Sequence, residues 1–237
     1  MLEVHPAHHA ATTWRDFLIH IATIVLGLLI AIGLEQSVEA LHHSHQRREL
    51  RESLHRESER ILEETAGDGR ASVSRARWLD QRIAQLRQAL AVHRPPPPAT
   101  PPDTPNSNIP DDHTWRAAEA SGLAPLLTQD EVNAYMEIDT AINQRDSALA
   151  DARTALKALR QFEGSLDLGN SNGQPDFLHM SSEDLHKDLT LLIAERDALS
   201  SYQYDCKVLR GAVTAVLAGQ FAFGQIEASE WKAIEQH

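Results

Sequence analysis

The stretch WRDFLIHIATIVLGLLIAIGLEQ, residues 14–36, decides the fold class of this chain. From Phe17 to Leu34 it holds 18 residues without a formal charge, and as a helix they rise about 27 Å. That length is close to the roughly 30 Å hydrocarbon core of a bilayer. Trp14 lies where an interfacial aromatic residue is expected. The sequence therefore predicts a transmembrane anchor over residues 13–36, in which residues 17–34 contact membrane lipid, after a disordered tail over residues 1–12.

Two alternatives to an uncleaved anchor are open at this point. The buried helix of a soluble core usually keeps a polar stripe, whereas here apolar residues occupy the whole circumference. A cleaved signal peptide is indicated by the small-residue spacing of Val38 and Ala40. The apolar segment of such a peptide, however, is usually roughly 7–15 residues long. The anchor fits the length best and is the interpretation that we adopt.

The orientation of the span depends on a small difference in basic residues. Arg15 directly precedes the span, and the first basic residues after it are Arg47 and Arg48. By the positive-inside rule, Arg15 favours an N-terminus inside the cell and a soluble part in the periplasm of a bacterium. The unpaired Cys206 favours the opposite side, because free thiols are typical of reducing compartments.

Partners are predicted from the span and from the charge of the chain. Gly27 and Ala31 are four residues apart, a spacing that lets two membrane helices approach closely, so a homodimer through these residues is one interpretation. The alternative is that Gly and Ala are simply common in membrane helices. The formal net charge is −12, from 34 acidic and 22 basic residues. Nucleic acid is therefore not an expected partner, because its phosphates are bound by Lys and Arg. The sequence identifies no other protein partner.

After the span, apolar residues follow the 3-4 spacing of helices that pack against one another. Leu34, Val38 and Leu41 carry this spacing out of the membrane segment. The two glycines of TAGDGR, residues 65–70, predict a break in the helix. The sequence therefore predicts a juxtamembrane helical hairpin over residues 37–93.

A proline-rich segment separates this hairpin from a second helical region. Residues 94–112 hold eight of the eleven prolines and are predicted to form an extended linker. Thr128 and Glu131 have the spacing of a capping box, so a long helix is predicted to begin there. Another long helix is expected to begin near Ser181. Residues 113–237 are therefore predicted to form a helical bundle domain.

The combined pattern predicts an all-α protein, in which an N-terminal transmembrane helix continues into an elongated antiparallel helical bundle or coiled coil. Arg145, Arg196 and Arg210 interrupt the apolar stripes of the long helices. These arginines favour a bundle with partly wet edges over a sealed core. The apolar stretch over residues 211–224 is too short to span a membrane and is expected to be a buried helix end.

The motif search assigns no catalytic, cofactor-binding or metal-ligating residue, so the chain is predicted not to be an enzyme. Histidine offers one alternative, because the Glu-x-x-His element of di-iron bundles occurs three times. The pairs are Glu39–His42, Glu52–His55 and Glu183–His186. Six of the 13 histidines also form two clusters, His5, His8 and His9, and His42, His43 and His45. A metal-binding bundle and a sensory ectodomain are therefore kept as alternative functions.

Two blocks of the sequence carry a resemblance to known proteins. They are TWRDFLIHIATIVLGLLIAIGLEQSVEALHHSHQ, residues 13–46, and TWRAAEASGLAPLLTQDEVNAYMEI, residues 114–138. The first resembles the N-terminal signature of a family of uncharacterised bacterial single-pass membrane proteins, and the second is similar to a later block in the same proteins. The resemblance implies a bacterial inner-membrane location and no assigned activity. The expected function is that of a membrane-anchored helical scaffold or interaction protein.

Overall fold

The structure, a computed structural model, describes residues 14–97, 99–102, 112–166 and 180–235. These residues form five α-helices and one short 3-10 helix, with no strand among them. The helices are α1 (Trp14–Val92), α2 (His113–Ala120), the 3-10 helix Ala124–Leu126, α3 (Gln129–Ser165), α4 (Ser182–Leu217) and α5 (Phe223–Glu235). The predicted all-α class, with an apolar N-terminal helix that continues into a helical bundle, is confirmed.

Parts of the predicted organisation lie outside the described residues. These are the N-terminal tail over residues 1–12 and a portion of the proline-rich linker. The described linker residues, 94–97 and 99–102, contain no helix, as their prolines predict. His93 ends α1 in a left-handed conformation, with φ 52°, and Arg94 N–H then donates to the carbonyl of Ala89 at 3.1 Å. This backbone bond closes the last turn of α1.

The chain divides into two compact units, and the first ends at Glu49. Within its described part, every side chain from Trp14 to His45 is exposed. Among the helices that the structure describes, α1 alone contains a segment long and apolar enough to cross a membrane. The buried helix of a soluble core does not fit this segment, because none of its apolar circumference is covered.

The second unit begins at Leu50 and is a bundle of three long helices, with α2 and α5 packed at one end. α4 runs antiparallel to α1. Arg75 of α1 binds Glu195 of α4, while Ser72, earlier in α1, accepts a hydrogen bond from Gln203, later in α4. The antiparallel bundle expected from the sequence is therefore present in the second unit.

Two apolar clusters fill the bundle. One contains Leu50 and Leu54 of α1 together with Trp115 of α2, whose ring stacks on that of Tyr135 with centroids 5.7 Å apart. The other contains Leu79 and its neighbours on α1, α3 and α4. Burying each large side chain of this kind contributes about 1.5–3 kcal/mol. Burial of apolar side chains therefore stabilises the helix packing at both ends of the bundle.

Capping boxes start α3 and α4. The Thr128 hydroxyl accepts from the backbone N–H of Glu131, and the Glu131 carboxylate accepts from the backbone N–H of Thr128. Ser181 and Asp184 make the same reciprocal pair at the start of α4. The helix starts predicted at Thr128 and near Ser181 are confirmed. They could be predicted because the residues that cap a helix are close in sequence and need no distant partner.

The glycines Gly67 and Gly69 do not interrupt α1. The sequence predicts a break at these glycines and a helical hairpin over residues 37–93, but α1 continues through them as one helix. A glycine inside a helix costs only about 1 kcal/mol relative to alanine. Thr65 and Ser72, on either side, are fully buried in the bundle. Tertiary packing therefore outweighs the weak local preference for a break.

A close helix crossing positions α5. A Cβ atom added to Gly211 of α4 would lie 2.7 Å from the backbone nitrogen of Glu230 in α5, so this approach requires glycine. α4 then ends at Leu217, and Gly219, which has φ 72°, follows in the turn that leads to α5. The apolar stretch 211–224, expected to be one buried helix end, is therefore divided between the last turns of α4 and the start of α5. Helix α5 was not predicted from the sequence.

Replacing Gly67 with alanine is expected to stabilise the protein by about 0.5–1 kcal/mol, because alanine is the better residue inside a continuous helix. The added Cβ would meet no atom within 4 Å. Urea denaturation of the full chain in detergent, followed by circular dichroism, measures the change. The matched control is Gly122→Ala, which should cost about 1–2 kcal/mol because Gly122 has φ 73°. A loss of stability in Gly67→Ala would contradict the continuous helix.

Candidate functional site: a charge cluster inside the bundle

Five charged side chains meet in the interior of the second unit, and we refer to them as the charge cluster. They are Arg75 and Arg82 of α1, Glu163 of α3, and Asp188 and Glu195 of α4. All but the half-buried Glu163 are at most 3% exposed. The two arginines are seven residues apart, as are the two acidic residues of α4, so each pair lies on one helix face. Because α1 and α4 are antiparallel, each arginine lies opposite one acidic residue.

The Arg75–Glu195 pair is the strongest contact of the cluster. Nε of Arg75 donates to Oε1 of Glu195 at 2.8 Å, and Nη2 donates to Oε2 at 2.8 Å. The guanidinium also lies over the Trp78 ring, with Cζ 4.5 Å from the ring centroid. Two parallel charge-assisted hydrogen bonds and a ring contact fix the guanidinium in one orientation.

Arg82 and Asp188 form the second half of the cluster. Nη1 of Arg82 donates to the carbonyl of Pro97 at 2.6 Å, which holds the start of the proline-rich segment against α1. Neither carboxylate oxygen of Asp188 has a hydrogen-bond partner among the described residues. Burial therefore raises the pKa of Asp188 to about 6, and the charge of Arg82 opposes the rise. Burial also lowers the pKa of Arg82, against the effects of Asp188 and Glu163.

Glu163 gives the cluster an excess of acidic groups. Burial, followed by the charge of Asp188, raises its pKa to about 7, while Arg75 and Arg82 oppose the rise. Two guanidinium groups thus face three carboxyl groups, and one carboxyl has no compensating cation. We expect Glu163 and Asp188 to share the uptake of a proton as the pH falls towards 6. Chemically, the cluster can bind a proton and hold α1 against α4.

A second polar network joins α3 to α1 near Leu50. Arg51 donates to both carboxylate oxygens of Glu131, at 2.6 and 2.9 Å. Burial alone would raise the pKa of Glu131, but the hydrogen bonds from Arg51 and Thr128 hold it below its ordinary value. Glu131 therefore both caps α3 and binds α1, which is a structural role.

Arg145 corrects the expectation of wet bundle edges. It interrupts the apolar stripe of α3 but is 0% exposed. Its Nη1 donates to Oδ1 of Asp146 at 2.8 Å, and its Nη2 donates to the Tyr202 hydroxyl at 3.3 Å. A tyrosine can stabilise an arginine in a protein interior, because its ring face attracts the guanidinium group and its hydroxyl oxygen accepts a hydrogen bond. Arg196 is partly exposed and Arg210 is exposed, so the expectation fits these two.

The charge cluster was not predicted from the sequence, although a signal for it exists there. Arg75 and Arg82 share a seven-residue interval, and Asp188 and Glu195 share the same interval with opposite charge. The two acidic residues each lie three positions after a leucine of the α4 stripe. Matching intervals of opposite charge on two predicted helices would have indicated that these helices pair, in either direction.

The three Glu-x-x-His pairs lie on the surface of α1 and α4. The ring of His55 contacts Glu59 at 3.6 Å, and Nδ1 of His186 lies 2.6 Å from the carbonyl of Ser182. A di-iron centre needs such pairs to project into the bundle. In the part of the chain that the structure describes, no group of three His, Cys, Asp or Glu residues is placed to hold a metal ion. The geometry therefore gives the metal-binding alternative no support, and the cluster His5, His8 and His9 lies outside the described residues.

No protein-family model matches the chain, and neither a curated protein nor a solved structure is significantly similar to it. The resemblance of residues 13–46 and 114–138 to bacterial single-pass membrane proteins stays a prediction.

Removing one partner of the buried ion pair is expected to be costly. Arg75→Met leaves the Glu195 carboxylate buried without its cation and should lower the free energy of unfolding by about 3–5 kcal/mol. The matched control is Asp80→Asn, which removes the exposed 2.7 Å pair between Asp80 and Arg196. This control should cost less than about 1 kcal/mol in urea denaturation. Equal losses in the two variants would contradict the role of the buried pair.

The stability of the protein is expected to fall as the pH rises from about 4 to about 7. In this window the folded protein keeps protons on Asp188 and Glu163, whose pKa values are about 6 and about 7, while the unfolded chain has lost them. Because the folded state binds more protons, its free energy of unfolding decreases with rising pH and levels off above that window.

Asp188→Asn should flatten this pH dependence by about 1–3 kcal/mol. Urea denaturation at several pH values measures the difference. Asp197→Asn, at an exposed position of the same helix, is the matched control and should leave the slope unchanged. An unaltered slope in Asp188→Asn would show that the cluster does not bind the proton.

Proposed function

We propose that this chain is a single-pass protein of the bacterial inner membrane, in which α1 anchors a helical bundle that serves as a scaffold or interaction module. The observation that carries the proposal is the segment from Phe17 to Leu34, which has no formal charge and is exposed all round. Apolar surface left in water costs about 25 cal/mol for each Å². A bilayer is the environment that removes this cost along the whole circumference of a helix.

The polar groups of the segment are compatible with lipid. The Thr23 hydroxyl donates to the carbonyl of Ile19 at 2.8 Å, so it needs no partner outside the helix. His20 lies one turn inside the span, from which a side chain can reach the headgroup region. At the end of the span, the rings of Trp14 and Phe17 stack with centroids 5.4 Å apart. Such aromatic residues favour the membrane–water interface.

Orientation and self-association belong to the same proposal. Arg15 beside the span supports an N-terminus in the cytoplasm and a bundle in the periplasm. Gly27 and Ala31 supply the small side chains that a homodimer of membrane helices needs. Scaffolding is proposed rather than catalysis, because the charge cluster lies inside the bundle and joins its helices.

The full chain is expected to stay in the membrane pellet after extraction with alkaline carbonate. Leu26→Arg combined with Ile30→Arg should release it, because each charge at the bilayer centre costs about 2.5–3.5 kcal/mol. The matched control is Val73→Arg on the bundle, where Val73 is 49% exposed, and it should remain in the pellet. Recovery of the unaltered chain in the soluble fraction, or as a shortened product without its first segment, would contradict the anchor. A phosphatase fused to the C-terminus, active only in the periplasm, reads the orientation in the same cells.

A further inference from the structure

A stripe of apolar side chains continues along α1 beyond the membrane segment. Leu34, Val38 and Leu41 are 69%, 63% and 72% exposed. Their 4-3 spacing places them on one helix face. The apolar stripe of the bundle begins at Leu50, nine residues after Leu41, and a step of nine does not continue an alternating 3-4 spacing. The two stripes are therefore separate features, and the bundle core does not account for the first.

The residue types of the first stripe fit one kind of assembly. In heptad notation, the a positions are Ala31, Val38 and His45, and the d positions are Gly27, Leu34 and Leu41. A β-branched residue at a with leucine at d favours a parallel coiled coil of two strands. The polar His45 at an a position is the kind of residue that sets register in such dimers. The small residues of the span and the apolar residues beyond it share this register.

The surface of α1 has a depression at this stripe. It is lined by Val38, Leu41, His42, Ser44, His45 and Arg48. Val38, Leu41, His42 and His45 have the spacing i, i+3, i+4 and i+7. Four residues in this arrangement form the hole that receives a side chain of the facing helix in a coiled coil. In a parallel dimer the side chain that enters a hole of this composition is the d residue at the same level, which here is Leu41 of a second copy.

The charges beside the stripe do not oppose such a dimer. Facing g and e positions would bring Ser37 to His42 and Ser44 to Glu49, so no like charges meet at these positions. The seam ends at His45, because Arg48 is the next d position and would face Arg48 of the second copy. The serine hydroxyls already donate to backbone carbonyls of their own helix, at 2.7 and 2.8 Å. Nε2 of His45 lies 3.1 Å from Oε1 of Glu49, so the polar a position has an acidic neighbour in its own chain.

We propose that residues 34–45 of α1 form a parallel two-stranded coiled coil with a second copy of this chain. The proposal rests on the membrane anchor, because two copies inserted in the same direction have parallel α1 helices. It extends the homodimer of Gly27 and Ala31 beyond the bilayer and gives it a register, with Val38 facing Val38 and Leu41 facing Leu41.

Cysteine cross-linking of the full chain in native membranes tests this register. Cys206, the buried free thiol, is first replaced by alanine. Single cysteines are then introduced on the stripe with Leu34→Cys, Val38→Cys and Leu41→Cys, and off it with Glu39→Cys, Ala40→Cys and His43→Cys. On oxidation, the stripe positions should give at least about fivefold more disulfide dimer, because only they bring identical Cα atoms within reach of a disulfide.

A second variant keeps the test independent of any one cysteine. Val38→Lys is expected to reduce cross-linking of Leu41→Cys several-fold, while Glu39→Lys, on the opposite side of the helix, leaves it unchanged. Equal cross-linking on and off the stripe would overturn the coiled coil. Weak cross-linking at Leu41→Cys, combined with protection from a water-soluble maleimide, would also overturn it and place the stripe against lipid headgroups.

The same membranes separate the two proposals. Carbonate extraction of each cysteine variant reports whether the chain is anchored. If the chain stays in the pellet but cross-links equally on and off the stripe, the coiled coil is contradicted and the membrane anchor is not. A chain that leaves the pellet would overturn the anchor itself, and with it the premise of parallel helices.

Discussion

The Arg75 guanidinium and the Glu195 carboxylate meet in the interior of the bundle, where neither group has water around it. Their contact joins positions 120 residues apart and determines how α1 lies against α4. If α4 slipped by one heptad, Asp188 or Tyr202 would face Arg75, and one arginine and one carboxylate would be left buried without a counter-charge. Such a charge costs several kcal/mol. The apolar clusters at the two ends of the bundle therefore depend on a register that apolar side chains alone would specify weakly.

The two units of the chain differ in which side chains they expose and which they bury. The first exposes its apolar residues from Phe17 to Leu41, and the second buries arginines, aspartates and glutamates beside its leucines. Buried charge is tolerated in the second unit because geometry compensates for it: two hydrogen bonds for Arg75, a backbone carbonyl for Arg82, and a tyrosine for Arg145. Where a buried charge is not fully compensated, as at Glu163, the pKa of the carboxyl group is raised.

The sequence specifies what is local in this fold. The helix starts at Thr128 and Ser181 follow from capping residues three positions apart, and the apolar faces of the long helices follow from their periodicity. The continuity of α1 through Gly67 and Gly69 cannot be predicted from the local sequence, because it depends on packing against helices that come later in the chain. The position of α5 does not follow either, since it depends on the backbone space left by Gly211.

The candidate site was less predictable than the fold, for the same reason. Arg145 is charged, and its burial depends on Tyr202, a residue 57 positions away. The charge cluster combines residues of three helices, and only their common seven-residue interval is visible before folding. In a chain where charges of both signs are abundant, a single arginine or carboxylate has the pattern of a solvent-exposed residue. A buried ion pair can therefore be predicted only by comparing the charges of two helices.

The separation of Arg75 from Glu195 also has a consequence for how the protein is made. At about 5–20 residues per second, the ribosome needs about 6–24 s to reach Glu195 after it has passed Arg75. For most of that interval, the face of α1 that carries Leu79 and Leu86 has been synthesised while its partners in α4 have not. Chaperones that act during translation would therefore meet residues 50–92 before α4, which begins about three quarters of the way along the chain, has been made.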